Sequence, residues 1–221
     1  MKPLIRIFLI ISTAFLSTFV IIKVSGVLTV EQIEGWLTQA KELSPLYVGS
    51  IVVLLLFADL FIAVPTLTVS ILSGYFLGHT HGALAALTGV TMAGLCGYGL
   101  SRVYGESILG FLIKEQGERK AVIDTFQEHG FVMILLSRAL PIMPETTACL
   151  SGMTRMPFRK FVFAWLISST PYILVATYGG SISSVENPKP AIITAIGISV
   201  LLWLSWFLYN RYRRKTVQGT Y

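Results

Sequence analysis

LLSRALPIMPETTACLSGMTRMP, residues 135–157, decides how this chain folds. The stretch follows an apolar run and is itself mostly apolar. It nevertheless carries Arg138, Glu145, two prolines three apart (Pro141 and Pro144) and Gly152. A straight membrane-spanning helix is not written this way. Each proline removes a backbone donor, and its ring clashes with the turn before it. An uncompensated Arg or Glu at a bilayer centre costs at least ~2.5–3.5 kcal/mol on insertion scales. Broken backbone survives at membrane depth only where protein or a wet cavity satisfies it. The stretch is therefore expected to be a re-entrant, broken-helix site that holds something charged.

Composition points the same way. Of 221 residues, 54% are hydrophobic and 13% charged, against about 25% charged in a soluble domain. Several apolar runs approach the ~20 residues that a spanning helix needs. The chain reads as an all-α polytopic integral membrane protein with a single membrane domain. Its net charge of +6 is read as cytoplasmic loop charge, so no nucleic-acid partner is expected. Cys96 and Cys149 lie in apolar segments without metal-type spacing and are read as packing residues.

Working outward from the broken stretch, residues 158–178 and 191–209 are two further spans, the first with Pro171, and RYRRK forms a basic tail. Residues 103–130 are the most polar part, with an apolar side made by Ile108, Leu112, Val122, Ile123 and Phe126; short surface helices are expected. Residues 82–100 form a helix dense in small residues, which permits close helix approach. Residues 46–64 are apolar except for Asp59, Pro65 follows, and 66–78 continue as TLTVSILSGYFLG. Each piece is short for a span and the two together are too long for one straight helix, so a hairpin is expected. Residues 27–44 are amphipathic, opened by a Thr29/Gln32 capping box, with Val30, Ile33, Trp36 or Leu37, and Ala40 at helical spacing; they read as an interfacial helix. Residues 4–22 are read as a retained first helix, because no A-x-A-like cleavage site follows them.

The plan repeats. Leu72-Ser73-Gly74 and Leu150-Ser151-Gly152 each follow a proline (Pro65, Pro144), which itself follows an apolar segment with a charge (Asp59, Arg138). Proline-broken segments in corresponding positions of two halves point to a transporter-like site. Basic residues give an independent check. With both broken stretches as hairpins and a cytoplasmic amino terminus, 13 of the basic residues outside the membrane face the cytoplasm and only Lys23, Lys41 and Lys189 face out. With each stretch as a single crossing the split is 9 to 7. The positive-inside bias favours hairpins that enter from opposite faces. The organisation expected is an inverted repeat: 1–45 as first helix and interfacial helix, 46–180 as a core with re-entrant hairpins at 46–78 and 131–157, and 181–221 as last helix and tail.

The pattern Pro65, LSGYFLG with Gly82, Gly97-Tyr98…Ser101-Arg102…Gly105, and Ser137-Arg138…Pro141…Pro144 leading to Gly152 and Phe161 resembles the VTT-domain family, also called DedA-like or SNARE-associated Golgi proteins. The resemblance covers roughly residues 47–180. It implies two opposed re-entrant hairpins and movement of lipid across a bilayer, by scrambling in eukaryotic members. In bacterial members it implies recycling of undecaprenyl phosphate or phospholipid that depends on proton motive force. Asp59 and Arg138 match the acidic and arginine positions of the bacterial members. Those members carry a second arginine near the position of Pro144 and a richer acidic-proline motif near Asp59.

The candidate substrate-binding residues are Arg138, Glu145, Asp59, Pro141, Pro144, Thr146 and Arg102. The planar fork of Arg138 suits bidentate phosphate binding, and an ion pair with Glu145 or Asp59 is the plainer alternative. Carboxylates in low dielectric can take up protons, which makes protons an expected coupling ion; a salt bridge or helix cap is the other reading. A half-helix starting near Thr146 and Thr147 would favour an anion. Arg102, at a helix end, suits snorkelling to headgroups. His79 and His81 lack a third ligand for a metal. No HExxH, G-x-S-x-G or P-loop is present, so neither an enzyme nor a cofactor is expected. The expectation is a flippase or scramblase for a lipid with an anionic headgroup, in a bacterial plasma membrane with both termini cytoplasmic, with a homo-oligomer left open. The alternatives are a secondary transporter of a small ion or solute and a non-transporting assembly protein.

Overall fold

The computed structural model describes residues 2–25, 30–62, 64–139, 142–184 and 187–218. All regular structure among them is helical: α1 (Lys2–Ser25), α2 (Val30–Leu43), α3 (Pro45–Ala58), α4 (Thr66–Leu112), α5 (Gln116–Ser137), α6 (Met143–Met153), α7 (Phe158–Ser181) and α8 (Lys189–Gln218). Two stretches, Thr66–Gly105 and Phe158–Ser181, are long and apolar enough to cross a membrane.

Local chemistry sets most of these boundaries. Ser44 caps α3 by accepting from the Leu46 amide, and Pro45 takes the first helical turn, where its missing N–H costs nothing. Pro144 likewise sits in the first turn of α6 and starts that helix rather than breaking one. The break itself lies just upstream, where Ile142 adopts a left-handed conformation at φ 71°, unusual for a branched residue. Gly78 (φ 75°, ψ 169°) interrupts α4 in a region open essentially to glycine alone. It separates the short limb that begins at Thr66 from the long helix that follows.

Two boundaries differ from the sequence reading. The helix read as ending near residue 100 runs on to Leu112, because Gly105 lets it pass flush against Met153 and Leu109 is buried beyond it. The polar segment after it is not a set of short surface helices. It is one helix, α5, whose polar first half continues into the apolar limb ending at Ser137; Val122 and Phe126 are buried and Ile108 is exposed. The Thr29 side of the proposed capping box lies outside the described residues. Within α2, Ile33 and Leu37 are fully buried and Trp36 is exposed.

Packing divides the interior into two cores. One joins Ile33 and Leu37 of α2 to Val48, Val52 and Leu56 of α3, Val69 of α4 and Ile173 of α7. The other joins Tyr98 of α4, Phe126 and Ile134 of α5, Leu150 of α6, and Phe161 and Trp165 of α7. Glycines tie the halves together. A methyl group at Gly74, on the short limb of α4, would run into the Thr177 carbonyl of α7, and one at Gly152, on α6, into the Tyr98 carbonyl of α4. The two Leu-Ser-Gly motifs thus do the same job in different halves. Gly180 presses on Ile71 from the α7 side.

Close approach of this kind leaves no room for a side chain, and overpacking typically costs about 1–3 kcal/mol. Gly74→Ala, Gly152→Ala and Gly180→Ala are each expected to lower the thermal unfolding midpoint in detergent. Gly99→Ala, with nothing within 4 Å of the new methyl, is expected to leave it unchanged or raise it, as Ala outranks Gly in helices by roughly 1 kcal/mol.

Candidate functional site

The ends of four helices converge. α3 stops at Asp59 and α4 starts at Thr66, while α5 stops at Arg138 and α6 starts at Met143. Between these breaks lies a partly open cavity of about 440 Å³. The first break supplies Asp59, Val64 and Thr66 to its wall, and the second supplies Arg138, Pro144 and Glu145. Tyr172 of α7 completes the polar end.

Asp59 is buried, with 8% of its surface exposed. One carboxylate oxygen accepts from the Val64 amide at 2.7 Å and the other from the Thr66 hydroxyl at 2.6 Å. Its first task is therefore structural: it closes the turn between α3 and α4. Glu145 faces the same cavity as Asp59, and both also line the narrower void behind it together with Arg138.

Arg138 makes no ion pair with either acid. Among the described residues its one hydrogen bond runs from Nη2 to the Ser169 hydroxyl at 2.8 Å. The guanidinium carbon sits 5.1 Å from the Trp165 ring and 5.4 Å from the Tyr172 ring, inside the ~6 Å range of a cation–π contact. Residues 165, 169 and 172 are four and three apart and so share one face of α7. That face holds the guanidinium from one side, and Arg138 also lines the cavity. A narrower void behind the cavity is walled by Asp59, Arg138, Glu145 and Trp165. Trp165 Nε1 is buried without a hydrogen-bond partner, alone in this among the described residues.

The structure thus brings together four of the seven residues singled out from sequence: Arg138, Asp59, Glu145 and Pro144. Pro141 lies outside the described residues. Thr146 is buried away from the cavity wall; its hydroxyl donates to the Ile142 carbonyl at 2.8 Å and meets Ser12 of α1 at 3.2 Å. Thr147 turns its hydroxyl onto the Pro144 carbonyl. Neither hydroxyl is offered to an anion, because α6 begins at Met143 and both threonines fall within its first turns. Arg102 is also remote from the cavity. It donates to the Tyr98 hydroxyl and the Met156 carbonyl, which fastens α4 to the end of α6. The ring of His79 meets the Thr177 hydroxyl at 3.2 Å. Trp165, Ser169 and Tyr172 were not anticipated, although their spacing beside Pro171 was open to inspection.

The sequence pattern of the VTT domain matches residues 64–182, more than half of the chain. YqeD of Bacillus subtilis (strain 168), described as an uncharacterized protein, is 26% identical over 152 residues, covering 68% of this chain and 73% of YqeD. Undecaprenyl phosphate transporter A of the same organism is 25% identical over 146 residues, covering 62% of this chain and 74% of that protein. No solved structure matches the chain. The region matched to the VTT domain contains Arg138, Glu145 and the α7 face that holds the guanidinium, and it begins five residues after Asp59. The chain belongs to the VTT-domain family of membrane proteins.

Proposed function

We propose that this protein moves a lipid with an anionic headgroup between leaflets, as a flippase or scramblase. The observation that carries the reading is the state of Arg138. A guanidinium that lines a cavity inside an apolar protein, with no carboxylate within ion-pair distance among the described residues, calls for an anion from outside. Its planar fork matches a phosphate, and charge-assisted bonds of this type are about twice as strong as neutral ones. The relative named for undecaprenyl phosphate transport supports a phosphate-bearing lipid, whether a polyprenyl phosphate or a phospholipid.

Helix lengths support the geometry. α3 has 14 residues and α6 has 11, about 21 and 16 Å at 1.5 Å per residue. Neither spans a ~30 Å hydrocarbon core. In this reading each limb enters the bilayer, stops at its break and returns, the two hairpins entering from opposite faces as an inverted repeat. Asp59 and Glu145 share a proton across the meeting point, which makes protons the coupling ion. The bias of basic residues supports cytoplasmic termini, and the bacterial relatives support a bacterial plasma membrane.

Transbilayer exchange of tail-labelled phosphatidylglycerol in liposomes tests this directly. Removing a charge-assisted bond worth about 1.5–3 kcal/mol predicts that Arg138→Ala lowers exchange at least tenfold, with Arg138→Lys intermediate because it keeps the charge and loses the fork. Asp59→Asn, which retains an acceptor for the Val64 amide, is expected to fold and to exchange lipid slowly. Solute uptake without lipid exchange would instead identify a small-solute transporter, and neither activity an assembly protein. Topology gives a separate measurement. Single cysteines at Lys120 and Ser184 are expected to react with an impermeant reagent from opposite sides of the membrane; labelling from the same side would remove the hairpins.

A further inference from the structure

The cavity has a second, apolar wall that none of the polar groups explains. It is made by Phe15 and Leu16 of α1 and by Ile198, Ser199 and Trp203 of α8. Both helices lie outside the hairpins, and Leu16 and Trp203 are half exposed, as residues at a mouth are. The height of this wall is informative. Phe15 lies 13 residues into α1 from Lys2, about 20 Å along the axis, and Ser199 lies 10 residues into α8 from Lys189, about 15 Å along. Half of a ~30 Å hydrocarbon core is 15 Å. With Lys2 and Lys189 taken at opposite membrane faces, as the transport reading has them, the mouth lies near mid-membrane, toward hydrocarbon and away from both water faces.

Size makes the same point. A volume of about 440 Å³ falls in the lower half of the ~300–1,000 Å³ range of small-molecule sites. It takes a headgroup and the first carbons of a chain, and the remainder of a two-chain or polyprenyl lipid must lie elsewhere. We infer that the mouth between Leu16 of α1 and Ser199 and Trp203 of α8 is a lateral tail portal: a lipid whose anionic head rests at Arg138 passes its aliphatic chains through this gap into the bilayer core. The inference rests on the lipid-transport reading above and adds where the chains run. Ser199 is the narrow point of interest, because it is the small residue of the α8 wall and its hydroxyl is already turned onto the Ala195 carbonyl at 2.8 Å. A bulky residue there fills the gap without stranding a polar partner.

The test uses full-length protein in phosphatidylcholine vesicles containing phosphatidylglycerol with a photoactivatable diazirine in mid-tail, alongside the exchange assay. In wild-type protein, cross-links are expected in the α1 segment 12–20 and the α8 segment 195–204. Ser199→Trp and, from the other flank, Leu16→Trp are expected to cut lipid exchange at least tenfold. Val200→Trp, exposed on α8 like Ser199 but outside the cavity wall, is expected to exchange lipid at the wild-type rate. Wild-type exchange that is lost in Arg138→Ala but unchanged in Ser199→Trp and Leu16→Trp overturns the portal and leaves the transport reading standing. So do cross-links confined to α3 or α7. Absence of exchange by the wild type overturns the transport reading itself, and cross-links at α1 and α8 would then mark only annular lipid. A thermal midpoint for Ser199→Trp equal to that of Val200→Trp excludes misfolding as the cause of a loss.

Discussion

Helices that end in an apolar interior leave amides and carbonyls that water cannot reach, and each must find a partner within the protein. At the first break that partner is Asp59, which takes the Val64 amide and the Thr66 hydroxyl on its two oxygens. The rest of the site depends on this arrangement. It fixes where the short limb of α4 begins, and so where the α3–α4 turn meets the α5–α6 turn. It also places a carboxyl group beside Glu145. Capping and chemistry are here carried by one side chain, with its oxygens engaged by the backbone turn while its charge acts on the neighbouring break.

Arg138 is managed differently. At the second break no acid lies within ion-pair distance of the cation; two aromatic faces and a serine hydroxyl on α7 hold it instead. Aromatic faces attract a guanidinium without occupying its N–H edge. An ion pair would have taken the same edge that a ligand needs. The difference between the two breaks, one internally satisfied and one left with spare donors, is what makes the cavity a binding site in this reading rather than a folding defect.

Much of this was legible from the residues. Pro65 and Pro144, set in apolar runs that also hold Asp59 and Arg138, revealed both breaks, since proline and charge together exclude a straight buried helix. The two Leu-Ser-Gly triplets both end on a glycine at a close helix contact, Gly74 against the Thr177 carbonyl and Gly152 against that of Tyr98. What stayed hidden depended on partners distant in sequence. Thr146 and Arg102 carry the right chemistry, but their hydrogen bonds to Ile142 and Met156 turn them away from the cavity. Trp165 and Tyr172 carry no motif of their own, and only the packing of α7 against Arg138 gives them a place at the site. The extent of α5 was misjudged because its polar first half resembles a surface segment, and only the burial of Val122 and Phe126 shows it continuous with the apolar limb.

The glycine contacts carry a consequence for how the chain is made. Gly74 rests on the Thr177 carbonyl and Gly152 on that of Tyr98, so each short limb is clasped by the long helix of the opposite half. The first limb emerges from the ribosome roughly a hundred residues before the helix that will hold it, a delay of about 5–20 s at ~5–20 residues per second. Throughout that interval the short limb at the Asp59 turn lacks the α7 contact that Gly74 makes in the finished fold. Biogenesis of this protein therefore has a vulnerable period set by the spacing of its two halves, and it ends only when α7 arrives.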